Sequence, residues 1–304
     1  TGKSKYIDDK YPDSYRVTFH PEMTYFDFVG GIKPIIVEEQ GKNKVSYEFV
    51  PGIFTKAWLE AYRKPTESIT LVIEEINRAN TAAVFGDLFQ LLDRNSEGKS
   101  DYYINNDELV DFLRNDENVS EEEELIGENW IKLPSNLSLI GTMNSADQGV
   151  FPMDTAFKRR WNFEYLGINE NEEKIAAIGN IKLARTDEVI NWNTLRKAIN
   201  AKMSSDEFRI NEDKLIGPFF LSKKIIMSDE LGMIVNQDRF VKAFKSKVIM
   251  YLYEDAVKQK KHNFFDGCDS SKYSSVCDAF DEKGIGIFGD TFKELYYDRQ
   301  RNDA

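Results

Sequence analysis

Cysteine and histidine are scarce in this chain, which has two of each among its 304 residues. The spacing around Cys268 and Cys277 matches no metal-binding framework, so buried or free thiols in a reducing compartment are the simplest interpretation. Two histidines are too few for a histidine-rich metal site. No run of about 18 apolar residues occurs, which argues against a membrane-spanning segment, and the first residues carry no secretory pattern. We therefore expect a cytoplasmic protein.

Positive charge is also in short supply, because 40 Lys and Arg residues face 52 Asp and Glu residues, for a net charge of −12. This balance argues against broad binding to nucleic-acid phosphates by this segment. Lys223-Lys224 and the lysines between 258 and 261 are local basic clusters that a solvated face explains equally well. A chain of this length can bury a sizeable core and can form two subdomains.

Residues 69–80 read ITLVIEEINRAN and organise the rest of the chain. The continuous apolar run predicts a strand buried on both faces, as in a parallel sheet. Glu74 and Glu75 fall at the carboxyl end of this strand, where ligands bind in such sheets. Two adjacent carboxylates there suit magnesium and water handling in an NTPase, the Walker B role. A strand that ends in a solvated acidic turn is the alternative.

The first four residues, Thr1, Gly2, Lys3 and Ser4, match the end of the phosphate-binding pattern G-x-x-x-x-G-K-[ST]. In that role the backbone amides cradle phosphate, Lys3 reaches the terminal phosphates and Ser4 binds magnesium. A tag or linker fits the same short motif. If the motif is a P-loop, we expect its first glycine and its strand to lie upstream. We also expect the interval from Ser4 to Tyr15 to be too short for a full P-loop helix and turn.

Between and beyond these motifs, periodicity predicts further elements. They are a short strand at 15–20, a β-hairpin at about 35–49, a helix at 53–63, a helical apolar stripe at 81–93 and an exposed acidic insertion at about 95–128. The apolar face of the helix at 53–63 consists of Phe54, Ala57, Trp58 and Tyr62.

A second apolar strand begins at Leu137 and ends at Asn144, beside the first. Asn144 fits a residue that holds the attacking water near a γ-phosphate, and an asparagine that caps a turn is the alternative. A helix at 154–160 ends in Arg159 and Arg160, ahead of a short strand at 162–166. These arginines either offset the helix dipole or include an arginine finger for a neighbouring subunit.

Beyond Gly167 the pattern changes. Helical spacing dominates at 189–203 and 238–261, and no strand ends in a carboxylate. We therefore predict an α/β core at 1–166 and a mostly helical subdomain at 167–304. The tail after Asp266 is rich in turn-forming residues and is uninformative about individual elements.

The order of four motifs, GKS, LVIEEINRAN, GTMNSADQG and DTAFKRRW, is more specific than any one of them. Over about residues 1–265 it resembles the AAA+ module of McrB-type proteins, the NTP-driven subunits of modification-dependent restriction systems. The segment 19–34 also resembles this family, through Phe19-His20, Tyr25, Asp27-Phe28, Gly30 and Pro34. In the second subdomain, Phe208-Arg209-Ile210 and residues 217–220 resemble the lid of that family.

The resemblance implies a three-layer α/β P-loop NTPase domain with a helical lid, assembled as a ring, commonly a hexamer. Nucleotide would lie between subunits with Mg²⁺, and GTP would be preferred over ATP. A separate McrC-like subunit would stimulate hydrolysis and carry the nuclease. DNA would be recognised by an upstream domain or by that partner.

The resemblance also implies roles for single residues. The end of the P-loop consists of Thr1, Gly2, Lys3 and Ser4, and magnesium is bound by Ser4 and Glu74. Glu75 is the base, Asn144 is the sensor, and Asp147 belongs to the signature loop. The candidates for the arginine finger are Arg159 and Arg160. Arg160 is favoured because it directly precedes Trp161.

The chain departs from the family pattern at two positions of the site. Glu74 stands where Walker B motifs usually have aspartate, and Asp147-Gln148-Gly149 replaces the usual Asp-Arg-Ser. Two alternatives therefore stay open. One is a MoxR-like AAA+ remodelling chaperone, and the other is a ring scaffold that binds nucleotide with little hydrolysis.

Overall fold

The computed structural model describes residues 2–39, 41–117, 119, 125–144, 149–183 and 188–303. The chain divides between Glu164 and Tyr165 into two compact units. Residues 3–164 form the N-terminal unit, and residues 165–304 form most of the C-terminal unit. Within the described ranges, no helix is both long and apolar enough to cross a membrane. The assignment of the two units to a nucleotide-binding core and a lid stays a prediction.

A parallel sheet lies at the centre of the N-terminal unit. The strands described in this unit are β1 (Tyr15–Thr18), β2 (Gly30–Glu39), β3 (Lys42–Pro51), β4 (Ile69–Glu74), β5 (Ile104–Asn105), β6 (Trp130–Ile131) and β7 (Leu137–Gly141). Strand β4 pairs in parallel with β1 on one side and with β7 on the other. Leu71, Val72 and Ile73 are fully buried, as the apolar run of β4 predicts. The prediction of a buried strand in a parallel sheet is confirmed.

The three strands of this sheet end at one edge. Thr18 pairs with Glu74, and Ile73 pairs with Gly141. The segments that follow β4 and β7 therefore leave the sheet side by side, at the edge where α/β proteins bind ligands. Strand β7 ends at Gly141, so residues 142–144 belong to the loop that follows.

The helices described in the N-terminal unit are α1 (Lys3–Lys10), α2 (Tyr25–Phe28), α3 (Ile53–Arg63), α4 (Thr81–Phe85), α5 (Asp107–Arg114) and α6 (Thr155–Lys158), with 3₁₀ turns at Ile76–Arg78 and Gly86–Leu92. Helix α3 has the predicted bounds, and Phe54, Trp58 and Tyr62 on its apolar face are buried. The interval before β1 holds a helix of eight residues, α1, and residues 11–14 complete the connection. This helix is short, in line with the expectation that the interval cannot hold a full P-loop helix and turn.

The apolar stripe at 81–93 forms two helices instead of one. Gly86 ends α4 with a φ of 53°, a left-handed conformation that favours glycine. A Cβ atom there would also lie 3.0 Å from the ring of Tyr25. Val84, Phe85 and Leu88 are fully buried, so the stripe belongs to the core, as its spacing predicts.

Strands β2 and β3 form the predicted hairpin, which is longer than the expected 35–49. Ten residue pairs join the strands, from Gly30 opposite Pro51 to Glu39 opposite Lys42. In the described part of the chain, these strands pair only with each other. One face is apolar and exposed, and it carries Ile32, Ile36, Val45 and Tyr47. Near the base of the hairpin, the ring of Phe49 lies 5.0 Å from that of Phe112.

The expectation that 95–128 is simply an exposed insertion was wrong for its described residues. Helix α5 buries Leu109, Val110 and Leu113 in the core of the N-terminal unit. Its amphipathic spacing is short and lies within a polar segment, and Asn106 caps its first turn. Glu121 to Glu124 lie outside the described residues.

The described elements of the C-terminal unit are mostly helical. They are β8 (Asn180–Lys182), β9 (Val189–Asn191), α7 (Trp192–Ser204), α8 (Gln237–Ala243), α9 (Lys261–Phe264), α10 (Tyr273–Lys283) and α11 (Asp290–Asp303), with π-helical turns at Phe244–Ile249 and Leu252–Ala256 and 3₁₀ turns at Glu172–Lys174, Glu212–Lys214, Lys258–Lys260 and Gly284–Phe288. One prediction was wrong, because residues 162–166 form no strand. The tail after Asp266, whose turn-rich sequence was uninformative, contains the helices α10 and α11.

Candidate nucleotide-binding site

Lys3 and Ser4 of the predicted P-loop motif lie at the carboxyl edge of the sheet, where β4 ends. Ser4 is in the first turn of α1, and its Oγ donates a hydrogen bond of 2.8 Å to Oε2 of Glu74. Gly2, which precedes the helix, has a φ of 109°, a backbone conformation that glycine adopts readily because it has no Cβ atom. The structure therefore brings the two predicted magnesium ligands together, although 70 residues separate them in the sequence.

Lys3 contacts the loop that follows β7. Its Nζ donates to the backbone oxygen of Met143 at 2.7 Å and to Oδ1 of Asn144 at 2.8 Å. The predicted phosphate-binding cation and the predicted sensor thus lie within one hydrogen bond of each other. Of the remaining predicted site residues, Thr1 and Asp147 lie outside the described residues.

Sequence reasoning missed Arg16, which lies on β1 next to the Walker B strand. Its Nη1 atom is 3.3 Å from Oε1 of Glu74 and 2.5 Å from Oδ1 of Asp8. The two oxygens of Glu74 therefore face a hydroxyl on one side and a guanidinium on the other. The only sequence signal for this contact was that Arg16 is a cationic residue in a short predicted strand next to the strand with the acidic end.

Glu75 has an unusual backbone conformation. Its φ is 54° and its ψ is 43°, in the left-handed region that residues with a Cβ atom adopt only at a cost. Its backbone N–H donates to Oγ1 of Thr142 at 3.1 Å. Its side chain is 35% exposed, and Oε2 lies 3.3 Å from Nε of Arg78. The predicted base is thus accessible and directly follows the predicted magnesium ligand.

Asn77 is a second residue that the sequence did not single out. It is 5% exposed, and its Nδ2 donates to the backbone oxygen of Asn144 at 2.8 Å. Its own backbone oxygen accepts from the N–H of Phe151 at 2.7 Å. Asn77 therefore ties the turn after β4 to the chain on both sides of residues 145–148.

The two finger candidates have different surroundings. The side chain of Arg160 is 8% exposed and pairs with Asp93 at 2.6 Å. Its guanidinium carbon also lies 3.9 Å from the centre of the Phe89 ring. Arg159 is exposed, and within the described part of the chain its side chain makes no hydrogen bond or ion pair. The geometry therefore does not support the preference for Arg160, whose side chain is engaged inside its own unit.

The ion pair of Arg160 with Asp93 gives a prediction on stability. Asp93→Ala leaves the buried guanidinium of Arg160 without its ion-pair partner, which lowers the free energy of unfolding by about 2–4 kcal/mol. The lower figure is expected because Asp93 is 30% exposed, so solvent screens the ion pair in part. Thermal denaturation should show a lower midpoint for this variant. Asp101→Ala, which removes an exposed carboxylate nearby, is the control. Equal midpoints for the two variants would contradict this prediction.

The residues at this edge fit a magnesium ion. Ser4 and Glu74 offer a hydroxyl and a carboxylate, the hard oxygen ligands that Mg²⁺ prefers. Among the described residues, no cluster of three or more His, Cys, Asp or Glu side chains forms a metal cage. Mg²⁺ in nucleotide sites takes its other ligands from phosphate and water, so one or two protein oxygens suffice.

Comparison with known proteins defines the class first. The family described as AAA domain (dynein-related subfamily) matches residues 11–161. Together with the parallel sheet and the helical C-terminal region, this match confirms the predicted AAA+ P-loop NTPase fold. Members of this class use nucleoside triphosphates and Mg²⁺, in general as oligomeric rings.

Two curated proteins then narrow the class. One is the Type II restriction enzyme BsuMI component YdiS of Bacillus subtilis (strain 168), which is 36% identical over 313 residues, covering 92% of this chain and 83% of that protein. Another is the Type IV methyl-directed restriction enzyme EcoKMcrB subunit of Escherichia coli (strain K12), which is 30% identical over 147 residues, covering 48% of this chain and 27% of that protein. The chain belongs to the McrB-type AAA+ proteins of restriction systems.

Proposed function

We propose that this chain is the NTP-hydrolysing motor of an McrB-like restriction complex that defends against phage. It assembles as a ring, in our proposal a hexamer, hydrolyses GTP in preference to ATP, and powers a separate McrC-like nuclease subunit. DNA is recognised by an upstream domain or by the partner. The observation that carries the proposal is the hydrogen bond of Ser4 to Glu74, with Glu75 as the next residue. The similarity to two restriction-enzyme components supports the biological setting.

The residues at the sheet edge suggest how the reaction proceeds. Ser4 and Glu74 would hold Mg²⁺, which would neutralise charge on the nucleotide phosphates. Lys3 binds the terminal phosphates. Glu75 accepts the proton of the water that attacks the γ-phosphorus, while the bond from that phosphorus to the bridging oxygen breaks. Asn144 orients the attacking water.

An arginine from a neighbouring subunit completes the site in this proposal. Arg159 is the better candidate, because its side chain is exposed and makes no hydrogen bond or ion pair with the residues that the structure describes. Arg160 anchors the end of α6 through Asp93 and Phe89, which directs Arg159 outward. We therefore assign the finger to Arg159 and a structural role to Arg160.

The test is steady-state hydrolysis of GTP and of ATP by the full-length protein, with and without its McrC-like partner. Glu75→Gln serves as the inactive reference. Glu97→Gln, which changes an exposed glutamate that is not a predicted site residue, serves as the control. Partner-stimulated GTP turnover supports the proposal as stated. Turnover of ATP but not of GTP supports the proposal of an NTP-driven motor and contradicts the proposed preference for GTP. Nucleotide binding without turnover under any condition supports the ring scaffold instead.

The contact of Ser4 with Glu74 predicts a change in magnesium dependence. Ser4→Ala removes one hard oxygen ligand, and we expect the Mg²⁺ concentration for half-maximal hydrolysis to rise about tenfold or more, on the scale seen when the ligand set of a metal is disturbed. Ser4→Thr keeps the hydroxyl and should stay within about twofold of the parent, since P-loops use either residue. A magnesium titration of hydrolysis measures both. Identical titrations for the alanine and threonine variants would remove Ser4 from the magnesium site.

A further inference from the structure

Thr142 links the two strand ends of the site. It follows β7, is 8% exposed, and makes three hydrogen bonds to the segment at the end of β4. Its N–H donates to the backbone oxygen of Ile73 at 2.9 Å, and its backbone oxygen accepts from the N–H of Ile76 at 2.9 Å. Its side-chain Oγ1 accepts from the N–H of Glu75 at 3.1 Å. The backbone bonds continue the pairing of β4 with β7, whereas the hydroxyl, among the described residues, bonds only the N–H of Glu75.

The conformation of Glu75 needs such a contact. Among the described residues, Glu75, Asn171 and Arg209 are the residues other than glycine with a positive φ. Asparagine tolerates this region because its short side chain bonds locally, but glutamate has no such advantage. A strained backbone persists only where its surroundings hold it, and such strain clusters at functional sites. Glycine would remove the strain at position 75, but it would also remove the carboxylate.

The left-handed turn decides where the second carboxylate can lie. Successive side chains in a strand point to opposite faces, so a strand continued through position 75 would separate Glu75 from Glu74. The turn at Glu75 ends β4 and begins the 3₁₀ turn Ile76–Arg78. The Thr142 hydroxyl bonds the N–H of Glu75 at this point, where the backbone changes direction.

We infer that Thr142 is a positioning residue for Glu75, because its hydroxyl holds the left-handed turn that aims the Glu75 carboxylate at the attacking water. The inference rests on the proposed function, in which Glu75 is the base. It concerns the rate of the chemical step and not the binding of nucleotide, because the Thr142 hydroxyl accepts from the backbone N–H of Glu75 and, within the described part of the chain, makes no hydrogen bond to Lys3 or Ser4. The threonine of the GTMN motif therefore has a role separate from that of Asn144, two residues further on.

Two substitutions of the full-length protein test the inference. Thr142→Val keeps the shape of the side chain and removes the acceptor oxygen, while Thr142→Ser keeps the oxygen. We expect the valine variant to lose about tenfold or more in kcat, with KM and nucleotide affinity within about twofold, as for an interaction that acts only in the transition state. The serine variant should stay within about threefold of the parent. Thr70→Val, the same exchange within β4, is the matched control.

Hydrogen exchange gives a readout that does not depend on turnover. Peptides that contain the Glu75 amide should exchange faster in Thr142→Val than in Thr142→Ser or the parent protein. Unchanged kcat in the valine variant would overturn the inference, whatever its exchange shows. So would an equal loss of kcat in the serine variant, because that result would point to packing and not to the hydroxyl.

Failure of the proposed function gives a different pattern. If the parent protein hydrolyses neither nucleotide, the role of Glu75 as base is lost and the inference falls with it, whatever the exchange shows. If the parent hydrolyses nucleotide and Thr142→Val matches it in rate and in KM, the motor stands and only the role of Thr142 is lost.

Discussion

Arg159→Ala is expected to slow nucleotide hydrolysis by about 10³-fold or more, the effect of removing an arginine finger from a phosphoryl-transfer site. The guanidinium would stabilise charge on the transferring γ-phosphoryl group, which is greatest in the transition state. Nucleotide binding should change little, because the ground state has less charge to stabilise at that place. Steady-state hydrolysis, together with binding of a fluorescent nucleotide, measures the two effects separately.

The neighbouring residues provide controls for this result. Lys158→Ala removes an exposed cation from the same helix and should have little effect on the rate. Arg160→Ala should lower the unfolding midpoint, since it breaks the ion pair with Asp93. The opposite pattern, with a stable but inactive Arg160 variant and an active Arg159 variant, would restore Arg160 as the finger.

Mixed assemblies show whether the finger acts between subunits. A ring made from Arg159→Ala and Glu75→Gln subunits contains interfaces at which an intact Glu75 faces an intact Arg159. Such interfaces should regain activity that neither variant has alone. No recovery on mixing, in assemblies shown to exchange subunits, would mean that Arg159 does not serve a neighbouring site.

Glu75→Gln should lower the rate of hydrolysis by about 10²–10⁴-fold, the range for loss of a general base. Glutamine has nearly the same shape but accepts no proton at neutral pH, so nucleotide and magnesium should still bind. Single-turnover hydrolysis and nucleotide binding measure this pair of effects. Glu97→Gln, with the same chemical change on an exposed loop, should match the parent.

Glu74→Gln separates the two adjacent carboxylates. In the proposed site Glu74 binds magnesium, so its loss should raise the Mg²⁺ requirement, whereas loss of Glu75 should not. A Glu75 variant that regains full activity at high Mg²⁺ would mean that the roles are exchanged. Full activity of Glu75→Gln at ordinary Mg²⁺ would show that Glu75 is neither the base nor a magnesium ligand.

The central part of the fold was predictable because its sequence signals are continuous. A strand buried on both faces needs an unbroken apolar run, and residues 69–73 provide it. The helix at 53–63 repeats its large apolar residues at helical spacing. The placement of Glu74 at a ligand-binding edge then follows from the general geometry of parallel sheets.

Other elements were not predictable because their signals are weak or divided. Helix α5 is a short amphipathic element inside an acidic segment, and α10 and α11 follow turn-forming residues that mask their spacing. Gly86 divides a stripe whose periodicity is unbroken, and a Cβ atom at this glycine would lie 3.0 Å from the ring of Tyr25, a residue distant in sequence. Sequence spacing says nothing about such contacts.

The contacts within the candidate site show the same limit. Arg160 looked like the finger because it precedes an aromatic residue, but its partner Asp93 lies 67 positions earlier in the chain. Thr142 and Glu75 are equally separated in sequence, by 67 residues. A single sequence identifies residue types suited to a site, whereas only the fold decides which of them engage each other.

The β2–β3 hairpin has a consequence for local stability. Its ten pairs form a ladder that, in the described part of the chain, continues into no other strand, and two-stranded ladders are only marginally stable by themselves. Its order depends on the end joined to the core, where Phe49 contacts Phe112. We therefore expect the hairpin to open locally more readily than the parallel sheet that carries Glu74, as hydrogen exchange would measure.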